Sequence, residues 1–115
     1  MQEEFLVFRF YGYLYITTPG MYRLRMKSND GVLVYVNGVE RIRRTGLVTN
    51  VDCATTNFAQ NEPIFMDAGA HAIEVRYFQY SGPKCLYMEW NGPDADPNPN
   101  LWRTVPDERI RSYAT

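Results

Sequence analysis

The sequence has few of the residues on which most catalytic and metal centres depend. Its 115 residues include one histidine and two cysteines, and no Cys-x-x-Cys pair or Cys/His cluster occurs, which argues against a structural zinc site. The Gly-x-Ser-x-Gly pattern of serine hydrolases is missing as well. Neighbouring acids occur only in terminal or loop segments, with no sign of a cleft between two carboxylates. We therefore expect a protein that is not an enzyme.

Long hydrophobic runs and a charge excess are also lacking. No apolar run approaches the roughly 20 residues that cross a bilayer, so no membrane span is expected. The net charge is −1, which gives no general attraction to nucleic acid. Acids stand near the N-terminus where a secretory signal would be basic. This pattern predicts either a signal peptide already removed or a piece of a longer chain.

Aromatic residues, in contrast, are abundant. They make up 15% of the chain, and 8 glycines and 7 prolines punctuate it. Aromatic and β-branched residues favour half-buried pleated surfaces, and a disordered chain would contain few of them. The composition therefore predicts an ordered all-β protein.

The order of apolar and polar residues indicates about seven strands. Alternation is clear in residues 21–28, 71–79 and 84–90, and residues 32–36 form an apolar run typical of a central strand. Asn37-Gly38 is a strong hairpin signal. The pattern predicts an antiparallel β-sandwich or barrel with, at most, a short C-terminal helical turn that begins near Pro106.

Four further expectations concern turns, loops and cysteines. Tyr11-Gly12 is interpreted as a break or bulge in the first strand, and residues 29–31 as a hairpin turn. Residues 46–62 are expected to form a long loop, a kind that is more often functional than not. Cys53 and Cys85 are either one disulfide or two buried thiols, and the sequence leaves this open.

Three segments in a fixed order carry a family resemblance. They are FRFYGYLYITTPGMYRLRMKSNDGVLVYVNG (8–38), IFMDAGAHAIEVRYFQYSG (64–82) and CLYMEWNGPD (85–94). Their order and spacing resemble the domain named after the N-terminal piece of a bacterial toxin protective antigen, the PA14 domain. The resemblance implies one β-sandwich domain over residues 1–115 that lacks the family's first strands and is part of a larger protein or assembly. It also implies an extracellular or cell-surface location.

The resemblance further implies a calcium site. Carbohydrate-binding members of the family hold calcium with two adjacent aspartates, and the matching pair here is Asn29-Asp30. Calcium takes six to eight oxygen ligands, so the polar loop 91–100 is expected to complete the site. The candidates in that loop are Asp94, Asp96, Asn98 and Asn100. The alternatives are ordinary turn chemistry for residues 29–31 and a stiff solvated segment for the loop.

A sugar at such a site would also need an aromatic ring against its apolar C–H face. The candidates for this role are Tyr80, Tyr87 and Trp102, in addition to Asn29 and Asp30 as polar contacts. Trp90 alternates with Met88 and is interpreted as a core residue. His71 follows a Gly at a strand start, where the family commonly has a histidine, and is interpreted as structural.

Six of the 12 basic residues stand in two predicted strands. They are Arg23, Arg25, Lys27, Arg41, Arg43 and Arg44. If these strands pair, the side chains form a basic face, which is either a solvated surface or a docking site for an anionic partner.

These observations favour a non-catalytic carbohydrate-binding or adhesion module that binds a glycan or glycoprotein, with or without calcium. The main alternative is a structural module that contacts other subunits of a larger assembly, since an unpaired first strand invites another chain. An accessory domain of a glycosidase is a third hypothesis.

Overall fold

The computed structural model describes residues 5–29, 31–44, 59–60, 62–79, 85–98 and 100–112. In chain order the strands are β1 (Phe5–Ile16), β2 (Gly20–Asn29), β3 (Gly31–Val36), β4 (Val39–Arg44), β5 (Ala59–Gln60), β6 (Ile64–Met66), β7 (Gly69–Gln79), β8 (Cys85–Asn91), β9 (Arg103–Thr104) and β10 (Ile110–Ser112). One 3₁₀ turn, Asp107–Arg109, precedes β10. The predicted all-β class is confirmed, and the helical turn after Pro106 is the one that the described residues contain.

The strands form two sheets. In sheet 1 the order is β10-β1-β7-β3-β4, and in sheet 2 it is β5-β2-β8-β9, with β6 also paired to β2. Every strand pair among the described residues is antiparallel. Strand β7 therefore lies in the middle of sheet 1, between β1 and β3.

The core lies between the inner faces of the two sheets. Alternate residues of β2, β3 and β7 point into it, and the most completely buried side chains include Leu14, Leu24, Val34 and Trp90. The rings of Tyr22 and Trp90 stack with their centroids 5.8 Å apart. The interpretation of Trp90 as a core residue is confirmed, because the side chain is 1% exposed.

The hairpin predicted at Asn37-Gly38 is confirmed. Both residues have positive φ, 51° and 82°, which a two-residue turn requires if it is to match the twist of its strands. Glycine adopts this conformation without steric cost, and asparagine tolerates it. The turn joins β3 to β4 at one end of sheet 1.

The hairpin predicted at residues 29–31 is wrong. Asn29 pairs with Cys85 in sheet 2, whereas Gly31 pairs with Phe78 in sheet 1, so the chain changes sheet here. Because the chain changes sheet, β2 and β4 belong to different sheets and do not pair. The basic face that would form from the arginines and lysine of these two strands is therefore wrong. Turn composition cannot distinguish a hairpin from a crossing between sheets, since both need residues that bend the chain.

The break predicted at Tyr11-Gly12 is also wrong, since β1 runs through both residues and its irregularity lies between Leu6 and Phe8. Gly12 is needed for another reason. A Cβ atom at this position would lie 1.9 Å from the carbonyl oxygen of Arg111 in β10. Glycine thus allows β10 to approach β1.

Two sequence expectations fall largely outside the described residues. These are the loop 46–62, of which β5 is described, and the state of Cys53, so the choice between one disulfide and two thiols stays open. Within the described ranges, no helix has the length and apolar character needed to cross a bilayer.

Replacing Gly12 by alanine should weaken the attachment of β10. The added Cβ must displace the backbone of Arg111, and a backbone displacement of this kind costs about 1–3 kcal/mol. We expect a lower free energy of unfolding in urea titrations. The control is Arg111→Ala, which removes an exposed side chain, keeps the backbone, and should change stability by less than about 0.5 kcal/mol. Equal stability of Gly12→Ala and the wild type would contradict this packing.

Candidate functional site

The two segments expected to share a calcium ion lie at opposite ends of β2. Asn29 pairs with Cys85, whereas Asn91, from which the loop 91–100 continues, pairs with Arg23. The six-residue step from Arg23 to Asn29 corresponds to about 20 Å along an extended strand. The single site predicted from both segments is therefore wrong. Asp30 itself lies outside the described residues.

Asp94 holds the loop 91–100 against the turn between β1 and β2. Its Oδ1 accepts hydrogen bonds from the Thr17 hydroxyl at 2.8 Å and the Thr18 N–H at 3.1 Å. Its Oδ2 accepts from the Thr17 N–H at 2.7 Å and from Nη1 of Arg109 at 2.5 Å. A carboxylate has about four lone-pair positions, so none remains for a metal ion. Asp94 is a structural residue, and its predicted role as a calcium ligand is not supported by these contacts.

The same contacts keep Asp94 ionised. Burial of the side chain, which is 3% exposed, by itself raises the pKa of a carboxyl group. The hydrogen bonds from the Thr17 backbone, Arg109 and the threonine hydroxyl outweigh burial and lower the pKa of Asp94 from 3.8 to about 2. The loop is thus fixed by a buried, charged group.

The other polar residues of the loop are engaged locally. Asp96 forms an ion pair with Arg103 at 2.7 Å and accepts a hydrogen bond from the Asn98 N–H, and the Asn98 side chain accepts one from the Asn100 N–H. In the part of the chain that the structure describes, no group of three His, Cys, Asp or Glu side chains could hold a metal ion. These local contacts agree with the alternative given for the loop 91–100, a stiff solvated segment.

Trp102, the aromatic candidate with a described side chain, packs against cations. The guanidinium groups of Arg23 and Arg25 lie 5.2 Å and 4.4 Å from the centre of its ring. These cation–π contacts occupy ring surface that a sugar would need. Tyr80 and the Tyr87 side chain lie outside the described part of the structure, so their roles stay predictions.

A cleft of about 420 Å³ opens on the outer face of sheet 1, the side away from the core. Tyr11 of β1 and Tyr35 of β3 both pair with Glu74 of β7, so the three residues form one row across the sheet. Since neighbouring strands are about 4.8 Å apart, the backbones of the two tyrosines are about 10 Å apart. The remaining lining residues are Gly12, Gly38, Ala72 and Ile73. We call this feature the tyrosine cleft.

Arginines and one glutamate hold the two tyrosine rings in place. The Arg9 guanidinium lies 4.8 Å from the Tyr11 ring centre and donates a 2.7 Å hydrogen bond to its hydroxyl. The Arg76 guanidinium lies 5.1 Å from the centre of the Tyr35 ring. Glu74 accepts hydrogen bonds from Nε of both arginines. The cleft therefore has preorganised apolar walls and charged groups at its border.

Glu74 stays ionised between these arginines. Its partial burial by itself would raise the pKa, but the hydrogen bonds from Arg76 and Arg9 outweigh this effect and lower the pKa of Glu74 below its usual value. An ionised carboxylate can only accept hydrogen bonds. Glu74 thus offers acceptors to hydroxyl groups that enter the cleft.

A network around Asn37 fixes the turn at one end of the tyrosine cleft. The Asn37 N–H donates to the Ala72 carbonyl at 2.8 Å, and the Ala72 N–H donates to Oδ1 of Asn37 at 3.0 Å. Nδ2 of Asn37 then faces Nδ1 of His71, which must accept, while Nε2 of His71 donates to the Asp67 carbonyl at 2.8 Å. The structural interpretation of His71 agrees with these contacts.

Sequence reasoning missed the tyrosine cleft, although one signal for it was present. Tyr11, Tyr13 and Tyr15 alternate with Leu14 and Ile16, which are buried, so the tyrosines had to face outward. The abundance of aromatic residues predicts an all-β protein but does not indicate which rings lie on an outer face. Tyr35 could not be placed beside Tyr11, because this requires the order of β1, β7 and β3.

Replacing Asp94 by asparagine should make stability less dependent on acid pH. Because the pKa of folded Asp94 lies below its unfolded value of 3.8, its contribution is complete above that pH and is lost as the pH falls through about 2. The shift corresponds to about 2 kcal/mol. We expect Asp94→Asn to lower the free energy of unfolding by about this amount at pH 7 and by much less at pH 2, as measured by urea titration.

The control for this prediction is Asp67→Asn, which alters an exposed carboxylate and should leave stability nearly unchanged at both pH values. A difference between wild type and Asp94→Asn that is as large at pH 2 as at pH 7 would contradict the assignment.

Comparison with known proteins places this geometry in a family. The family model described as "PA14 domain" matches residues 1–100. No curated protein matches the chain. An anti-sigma factor domain-containing protein from Clostridium clariflavum has a similar structure, with a TM-score of 0.72 and 18% identity over 90% of this chain. The present chain spans about one third of that chain, 31%.

Two solved PA14 domains have the same fold. The PA14 domain of the antifreeze protein MpAFP has a TM-score of 0.63 and 19% identity, over 90% of this chain and 50% of that chain. The PA14 sugar-binding domain from an RTX adhesin has a TM-score of 0.54 and 22% identity, over 71% and 43%. PA14 domains are mostly non-catalytic binding modules. With the family model matching most of its length and the sandwich confirmed, this chain belongs to the PA14 domain family.

Proposed function

We propose that this PA14 domain is a non-catalytic carbohydrate-binding module and that the tyrosine cleft holds the sugar. The observation that carries the proposal is the row formed by Tyr11, Glu74 and Tyr35 on the outer face of sheet 1. Two aromatic walls and a carboxylate acceptor meet in a cleft of about 420 Å³, which is within the size range of small-ligand sites.

The chemistry of a sugar matches these groups. A pyranose ring has an apolar C–H face, which packs on an aromatic ring, and hydroxyl groups around its edge, which need hydrogen-bond partners. Glu74 accepts hydrogen bonds, and Arg9 and Arg76 donate them. The side chains need little reordering on binding because they already hold one another, which lowers the entropic cost.

The relatives support this proposal in general terms. One solved relative is a sugar-binding PA14 domain from an RTX adhesin, and adhesins act outside the cell. We therefore propose an extracellular or cell-surface location, as one module of a longer protein, with a glycan or glycoprotein as the partner.

Calcium, if it contributes, would bind at the end of the molecule where β2 ends and β3 begins. Asn29 and Asp30 remain the proposed ligands there, because the loop 91–100 uses its carboxylates internally. The tyrosine cleft needs no calcium, since Glu74 already has two arginine partners.

An assembly role is the second candidate, and two observations favour it. Strand β10 covers only Gly12–Leu14 of β1, so among the described residues the part of β1 before Gly12 has no strand on that side. Met21 and Phe65 are cross-strand neighbours that are 53% and 60% exposed. An open strand edge and an exposed apolar pair are typical of contacts with another chain.

Alanine at Tyr11 or Tyr35 should abolish most of the carbohydrate binding. Each substitution removes one aromatic wall, and loss of a central aromatic contact costs at least about 1.4 kcal/mol, a tenfold loss of affinity. We would screen the wild type on an array of immobilised oligosaccharides and measure the best binder by titration calorimetry with each variant.

The control is Tyr15→Ala, which removes an exposed tyrosine (37%) on the same strand but outside the cleft. It should retain wild-type affinity. If the folded wild type binds no carbohydrate, or if Tyr11→Ala and Tyr35→Ala bind as the wild type does, the proposal fails.

Removing the loop carboxylate Asp96 should leave any calcium binding intact. Asp96 is paired with Arg103, whereas Asp30 stands in the proposed ligand pair. We expect calorimetric titration with calcium chloride to give the wild-type affinity for Asp96→Ala and none for Asp30→Ala. Loss of calcium binding in Asp96→Ala would show that the calcium site lies in the loop 91–100. A wild type that binds no calcium would rule out the calcium proposal, but it would leave the proposal for the tyrosine cleft unchanged.

A further inference from the structure

The positive charge on the outer face of sheet 1 is not expected from the whole sequence. The chain has a net charge of −1. The charged residues whose strand pairing places them on this face are Arg9, Arg43, Arg76, Arg111, Glu40 and Glu74. These are four arginines and two glutamates, so the paired residues of the face carry two excess positive charges, and the excess of negative charge lies elsewhere.

Three of these arginines stand in one row beside the tyrosine cleft. Arg9 pairs with Arg76, Arg76 pairs with Leu33, and Leu33 pairs with Arg43. This row is adjacent to the row of Tyr11, Glu74 and Tyr35. Arg9 and Arg76 are thus on neighbouring strands, about 5 Å apart at the backbone, and Arg43 is about 10 Å further along the row.

Placing Arg9 directly opposite Arg76 is unfavourable, because like charges across a strand pair repel. The Glu74 carboxylate offsets this repulsion, because it accepts a hydrogen bond from Nε of Arg9 and another from Nε of Arg76. A guanidinium has five N–H donors. The described contacts of Arg9 and Arg76 with Glu74 and Tyr11, and the 2.6 Å ion pair of Arg43 with Glu40, use only some of them. The side chains of Arg9, Arg76 and Arg43 are also 43%, 33% and 57% exposed. Charge therefore remains available to a bound anion.

We propose that the tyrosine cleft selects acidic carbohydrates, with a carboxylate or sulfate group of the glycan bound by the arginine row while the sugar ring packs between Tyr11 and Tyr35. This inference rests on the proposed function of the cleft. Arginine forms paired hydrogen bonds with planar oxyanions, and the excess positive charge attracts a chain that carries repeated negative charges. A neutral glycan would contact the same two tyrosine rings but has no anionic group for the arginines to bind, so its affinity should be lower.

Two matched pairs of polysaccharides test the acidic group. Polygalacturonate and its methyl ester differ in the free carboxylate, and chondroitin sulfate and unsulfated chondroitin differ in the sulfate. We expect the charged member of at least one pair to bind tenfold more tightly than its partner in titration calorimetry. The affinity should also fall as sodium chloride rises from 20 to 500 mM, since salt screens exposed charges. The two pairs distinguish a carboxylate from a sulfate ligand.

Arg76→Gln should reduce this preference at least tenfold. The matched control is Arg103→Gln, which removes the same charge from sheet 2, where Arg103 pairs with Asp96, and should bind as the wild type does. Arg43→Gln, at the exposed edge of the row, gives a second test if Arg76→Gln does not fold by circular dichroism.

The outcomes separate the inference from the proposed function. Equal binding of charged and neutral partners, or an equal loss in Arg103→Gln, overturns the inference and leaves a carbohydrate-binding module. Binding of polyglutamate or single-stranded DNA as tightly as polysaccharide also overturns it, because the face would then be a general anion surface. A folded protein that binds no polysaccharide in either pair and no oligosaccharide of the array overturns the proposed function itself.

Discussion

Strand β7 lies between β1 and β3, and its register with both neighbours determines what the outer face of sheet 1 can bind. Ile73 and Val75 point into the core, so Glu74 must point outward between the tyrosines. A one-residue slip would bury Glu74 and expose the apolar residues. Core packing and the binding face therefore depend on the same pairing, and the cleft can form only where the core is correctly packed.

Carboxylates in a polar loop can fold the protein instead of binding a ligand. Asp94 accepts hydrogen bonds from Thr17, Thr18 and Arg109, which fixes the end of sheet 2 to the turn that follows β1. The oxygen atoms that would have surrounded a cation are used within the chain. The outer face of sheet 1, in contrast, carries side chains that hold one another in place around an open cleft.

Local patterns predicted much of the fold. The alternation in β2 and β7, the apolar run of β3, the Asn37-Gly38 hairpin and the burial of Trp90 depend on neighbouring residues, which the sequence displays directly. The crossing between Asn29 and Gly31, the contacts of Asp94 and the meeting of Tyr11 with Tyr35 depend on residues far apart in the sequence. Strand order determines these features, and a single sequence carries no local signal for it.

The most direct measurement of the central claim is chemical-shift mapping by nuclear magnetic resonance, with an oligosaccharide that the protein binds added to the ¹⁵N-labelled chain. If the sugar occupies the tyrosine cleft, the amide signals of Tyr11, Tyr35, Ala72 and Glu74 should shift most strongly. Shifts confined to the loop 91–100, or to Asn29 and Gly31 at the far end of β2, would contradict the assignment of the sugar to the outer face of sheet 1.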